Sequence, residues 1–99
     1  MYTFFQKQPV AEKHDLMIAA SPLTEFVFMV THDNGKLDAV EDARYYDTLA
    51  NLEKRITNIC SNYDIRIISV YGQSKEYVDK VAQKIEAFLP DFNVNKIYS

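Results

Sequence analysis

The period of the apolar positions changes several times along the chain, and each change marks an element. Residues 2–6 (YTFFQ) read as a short strand. Residues 7–15 are polar and contain Pro9, which predicts a loop. Residues 16–20 form a second apolar run, closed by Ser21-Pro22. Residues 25–32 (EFVFMVTH) carry the strongest strand signal, rich in β-branched and aromatic side chains. Alternation puts Phe26, Phe28 and Val30 on one face and Val27 and Met29 on the other. A strand apolar on both faces is expected to be central and covered on both sides.

Asp33-Asn34-Gly35 is a turn signal, because Asn and Gly tolerate positive φ. Residues 36–40 then either complete a hairpin or lead into a helix. Asp38, with Glu41 three residues later, resembles a capping box and favours the helix. The spacing predicts that helix over residues 38–61. Tyr45, Leu49, Leu52, Ile56, Ile59 and Tyr63 recur at steps of 4, 3, 4, 3 and 4, which is one apolar stripe. Residues 64–71 (DIRIISVY) read as another strand. A second helix is predicted over residues 75–89. Tyr77, Val78, Val81, Ala82, Ile85, Phe88 and Leu89 line its inner face, and Pro90 ends it. Residues 92–98 make a last strand whose Lys and Asn suit an edge.

The predicted order is β-β-β-α-β-α-β. It implies one α/β domain over residues 1–99, with α+β the alternative, and a mixed sheet of four or five strands with two amphipathic helices. The last five elements imply three parallel strands joined by right-handed crossovers. The first two strands are expected to extend the sheet antiparallel. This element order is similar to that of the ribonuclease H-like fold. The resemblance is of pattern and covers no sequence motif. It implies nucleases with an acidic residue on the first strand, and MYTFFQ has none. The resemblance therefore bears on architecture and does not supply an activity.

Composition narrows the classes. The chain has 99 residues, 47% hydrophobic and 25% charged, enough for one core without disulfides. Two Gly and three Pro leave no room for a linker or low-complexity tract. Cys60 is the only thiol, which excludes an internal disulfide and points to a reducing, cytoplasmic setting. The start lacks the basic and long apolar regions of a secretory leader, and no apolar run is long enough to span a bilayer. The net charge of −3 is uneven: residues 33–53 carry −4 and residues 54–99 carry +2. No dense basic face is visible, which argues against nucleic acid.

Few residues point to chemistry. Gly72-Gln73-Ser74-Lys75 joins a strand to a helix, where N–H groups and the helix dipole attract a phosphate or carboxylate. The same residues serve a simpler role, with Ser74 capping the helix and Gly72 turning the chain. No P-loop pattern is present. Asp38, Glu41 and Asp42 are candidates for a divalent cation or for helix-capping acids. His14-Asp15 and His32-Asp33 fall in or beside expected loops. With no third histidine they are read as chance neighbours rather than metal ligands. Cys60 lies beside the apolar stripe and reads as a buried, inert thiol. Seven Tyr and six Phe exceed what a small core needs, so Tyr45 and Tyr46 are candidates for a protein interface. Together these features favour a non-catalytic interaction module that binds a protein or a second copy of itself and carries no cofactor. A regulator, an inhibitor or an assembly subunit, of a kind encoded by phage, fits that description. A phosphate or nucleotide binder at residues 72–75 is the second reading. A metal-dependent hydrolase or nuclease is the third.

Overall fold

The structure, a computed structural model, describes residues 13–32 and 39–99. The expected strand at 2–6, the turn at 33–35 and the Asp38 cap lie outside the described residues. Within them the fold is mixed α/β, in the expected order. The elements are β1 (Lys13–Ala19), β2 (Phe26–Thr31), β3 (Glu41–Asp47), α1 (Leu52–Asn62), β4 (Asp64–Gly72), α2 (Lys75–Phe88) and β5 (Asn95–Tyr98). One sheet holds the five strands in the order β3-β2-β1-β4-β5. The β1–β2 and β2–β3 pairs are antiparallel, whereas β1–β4 and β4–β5 are parallel. Hence β2 alone runs against the other four.

Several elements differ from expectation. The loop over 7–15 gives way to β1, which begins at Lys13. The helix expected over 38–61 is β3, a short 3-10 turn (Leu49–Asn51) and the three-turn helix α1. The stripe that suggested one helix is real but mixed in origin. Leu52, Ile56 and Ile59 reach the core from α1, while Tyr45 reaches it from a strand and Leu49 from the 3-10 turn. Pairing with β2 decides the outcome, because β3 gains a ladder along its whole length and adjacent aromatics favour a strand. Asp47 ends β3 by accepting hydrogen bonds from the Thr48 backbone N–H at 2.9 Å and from Asn51 Nδ2 at 3.0 Å. The strand over 25–32, expected to run parallel to those over 64–71 and 92–98, is β2 and runs opposite to both, while β1, expected to extend the sheet antiparallel, takes the parallel place beside β4. The strands parallel and adjacent to β4 are β1 and β5.

The expected element order β-β-β-α-β-α-β is met. The first described strand is KHDLMIA, and it contains Asp15. Asp15 pairs with Arg66 at 3.3 Å.

Both helices pack on one face of the sheet. Leu16, Ile18, Phe26, Phe28, Val30, Ile68 and Val70 meet Leu52, Ile56 and Ile59 of α1 and Val78, Val81 and Ile85 of α2 there. Each of these buried side chains contributes roughly 1.5–3 kcal/mol. On the other face Met17, Val27, Met29 and Ile67 are half-buried. The expectation that β2 is central is met, but among the described residues helices cover only one of its faces.

Candidate metal centre

The inward face of β1 reads His14, Leu16, Ile18, and that of β2 reads Phe26, Phe28, Val30. In the β1–β2 ladder Asp15 faces Thr31 and Leu16 faces Val30. One more step of that register places His14 across from His32. His32 continues the inward face of β2, and its backbone N–H donates to the Val40 carbonyl at 2.9 Å.

The third member comes from an irregularity. Ala43 faces Val30, but the next pair is Glu41 with Thr31, so Asp42 is an extra residue on β3. A bulge of this kind re-aims a side chain. Asp42 is turned toward the two histidines. His14 Nε2 lies 2.7 Å from Asp42 Oδ2, and His32 Nδ1 lies 2.8 Å from Asp42 Oδ1. The ligand atoms of the three residues lie within 4.8 Å of one another. A second bulge sits beside them, where His14 faces Ile65 but Asp15 faces Ile67. That bulge sets Arg66 toward Asp15 on the opposite face.

The surroundings hold the imidazoles in place. His14 is only 8% exposed, so its ring has little freedom. The Tyr63 ring, just past the end of α1, packs edge-on against it at 5.0 Å, and the His32 ring lies 6.1 Å away. Partial burial pushes the Tyr63 phenol up, and the neighbouring Tyr45 hydroxyl and Asp42 charge act the same way. The rim acids have partners of their own. Glu41 is gripped by Arg44 through two 2.7 Å bonds, Asp15 by Arg66, and Asp64 by Lys13 at 2.9 Å. Glu41 and Asp42 therefore do not form an acidic pair.

The expected anion site lies at the other end of the sheet. The chain leaves β1 toward β2 and leaves β4 toward β5, so the crevice between the carboxyl ends of β1 and β4 is where an open α/β sheet places ligands. Gly72, Gln73 and Ser74 line it, with Lys75 next in the chain, yet Gly72, Ser74 and Lys75 each have an internal task. A Cβ on Gly72 would stand 2.7 Å from the Ala20 carbonyl oxygen, so this glycine admits a neighbouring strand end. Ser74 Oγ accepts from the Tyr77 N–H at 3.3 Å, a helix cap worth about 1 kcal/mol. Lys75 Nζ bonds Asp79 at 3.3 Å and sits over the Tyr98 ring. Gln73 is exposed.

Tyr45 and Tyr46 are separated by the pleat. Tyr46 is 56% exposed, while Tyr45 turns inward beneath Arg55. Burial raises the Cys60 thiol, as expected for an inert one.

The sequence hides the histidine pair because the polar stretch 7–15, with His14, predicts a loop, and His32 ends a strand beside a turn signal. The usable signal was phase. His14 sits two residues before Leu16 and His32 two residues after Val30, so both continue a buried face. Asp42 left no such signal, since alternation alone would have chosen Glu41. Comparison with protein-family models, curated proteins and solved structures finds no match to this chain. No helix among the described residues is long and apolar enough to cross a membrane.

Proposed function

We propose that this protein binds a divalent transition-metal ion of the zinc class through His14 Nε2, His32 Nδ1 and the Asp42 carboxylate. The observation that carries this is the convergence of the three ligand atoms, from adjacent strands, on one face of the sheet. Two imidazoles and one carboxylate suit zinc, iron or cobalt, whereas Mg²⁺ and Ca²⁺ prefer all-oxygen shells. Tetrahedral bonds of about 2.0–2.1 Å place ligand atoms about 3.3 Å apart. The present nitrogen–oxygen distances of 2.7 and 2.8 Å are those of a proton-bridged clamp. An opening of about half an ångström on each side would admit the ion in place of the protons. Three protein ligands leave a fourth position for water or another ligand, the arrangement of catalytic rather than purely structural sites. A cytoplasmic setting belongs to the same reading, with Cys60 half-buried and outside the ligand set.

Calorimetric titration with Zn²⁺ tests the proposal. One ion should bind per chain, and Mg²⁺ should not compete. Asp42→Asn should weaken binding at least tenfold while circular dichroism stays native. A wild-type protein with no saturable Zn²⁺ binding, or an Asp42→Asn protein that binds as tightly, defeats the reading.

A second reading is that the molecule also pairs with a second copy of itself through the helix-free face. Tyr46 is exposed there at the edge strand, beside half-buried Met29 and Val27. The rim pairs Asp15–Arg66 and Glu41–Arg44 present both signs, as a self-complementary surface requires. Sedimentation equilibrium should show a dimer that Tyr46→Ala dissociates. A monomer at every concentration removes this reading.

A further inference from the structure

We infer that a second copy covers the whole helix-free face, with the two-fold axis running along β1, so that β3 of one copy lies over β5 of the other. This rests on the self-pairing reading above and deepens it. The ladders order that face in rows. One row crosses all five strands, as Tyr46, Val27, Ala19, Tyr71 and Ile97. None of these is charged, and the two at the edges, Tyr46 and Ile97, are exposed. The next row is Arg44, Met29, Met17, Ser69 and Asn95. The third holds Glu41, Thr31, Asp15 and Ile67. Its two acids are neutralised in place, Glu41 by Arg44 and Asp15 by Arg66. The face therefore grades from apolar, where β1 and β4 finish, to ionic, where they begin.

That gradient selects both the occupant and the symmetry. The described charges of the face cancel, so it offers no grip to a strongly acidic or basic partner, whereas a copy of itself matches it. Two copies meeting face to face need a two-fold axis in the plane between the sheets. An axis across the strands lays the apolar row on the ionic one and strips water from both ion pairs, which is costly. An axis along β1, the central strand, keeps like row on like row. It also sets large side chains over small ones. Tyr71 falls over Val27 of the second copy and Met29 over Ser69, while Ala19 meets its own counterpart. Tyr46 at one edge meets Ile97 at the other, and the ion pairs stay at the rim, where water reaches them. Strands about 4.8 Å apart and rows about 6.8 Å apart make a face of roughly 24 by 20 Å with side chains included. Two such faces bury on the order of 1,000 Å², the lower bound of a specific interface, so the dimer is weak and exchanges.

The test is cross-linking at the sheet edges. Thr48 follows β3 and Ser99 follows β5, both exposed and both at the apolar end. Packed sheets lie about 10 Å apart, which puts Thr48 of one copy about 10 Å from Ser99 of the other. Its distance to its own counterpart is about 20 Å, because four strand spacings separate the edges. Each variant carries Cys60→Ala to remove the native thiol. A mixture of Thr48→Cys and Ser99→Cys chains, treated with a bismaleimide of about 10 Å span, should link at least tenfold faster than either variant links to itself. If sedimentation shows a monomer at every concentration, the self-pairing reading falls and this inference with it. If it shows a dimer in which the mixed pair stays unlinked, or in which either variant links to itself as fast, the axis is overturned and self-pairing stands.

Discussion

Replacing Gly72 with alanine separates a folding role from a ligand role at the strand-to-helix junction. The new Cβ would meet the Ala20 carbonyl oxygen at 2.7 Å and Val78 Cγ2 at 3.1 Å. An ordinary carbon–oxygen contact is about 3.3 Å or more, so one backbone must retreat by about 0.6 Å. Neither backbone is free to do so. The Ala20 N–H donates to the Tyr71 carbonyl at 2.9 Å, and the Ser99 N–H donates to the Gly72 carbonyl at 3.0 Å. Ala19 also faces Tyr71 in the parallel ladder. Overpacking of this kind costs about 1–3 kcal/mol. For a domain of this size each kcal/mol moves Tm by about 4–8 °C, so a 2 kcal/mol loss is about 8–16 °C. Thermal and urea unfolding of Gly72→Ala measure it, with exposed Gln73→Ala as the neutral control. The midpoint should fall and the urea slope should stay constant. A Gly72→Ala protein within about 2 °C of wild type would refute the argument. Unchanged stability combined with a loss of phosphate binding would show that the glycine makes room for a ligand instead.

Two pH effects follow from the charged groups. The Asp47 carboxyl is held below its ordinary range by hydrogen bonds from Asn51, Thr48 and Arg55. A depressed folded-state value means that the stabilisation is complete above the unfolded value, about 3.9, and is lost as pH falls through the folded one. Urea unfolding should therefore show Asp47→Asn less stable than wild type near pH 6, with the gap narrowing as the pH falls below about 3.9; a gap that does not narrow on acidification would contradict this. Zn²⁺ affinity should fall steeply as the solution is acidified from pH 7.5 to 5.5, because protons compete for the imidazole nitrogens. Isothermal titration at those two pH values checks it, and a pH-independent affinity would place the ion elsewhere.

Local patterns were enough to read much of this molecule. The strand at Phe26–Thr31, the strand at Asp64–Gly72 and the helix at Lys75–Phe88 were visible because each shows one period over its length, with Ser74 and Pro90 marking the ends of the helix. The mixed α/β class follows from that order of elements. The Tyr45–Tyr63 stripe misled because steps of 3 and 4 need only bring side chains to one core. A strand, a turn and a short helix in succession achieve that as well as one long helix does.

Pairing partners lie outside any local window. Residues 41–47 form a strand because β2 offers them a ladder, which no pattern within those seven residues reveals. His14 and His32 are 18 positions apart, and only the antiparallel register of β1 with β2 sets them side by side. Asp42 joins them through one unpaired residue in β3, a single break in alternation that reverses which acid faces inward. Side-chain period is a property of consecutive residues, so the chain displays it directly. Register and bulge position depend on which distant segments share hydrogen bonds, and these the folded sheet alone supplies.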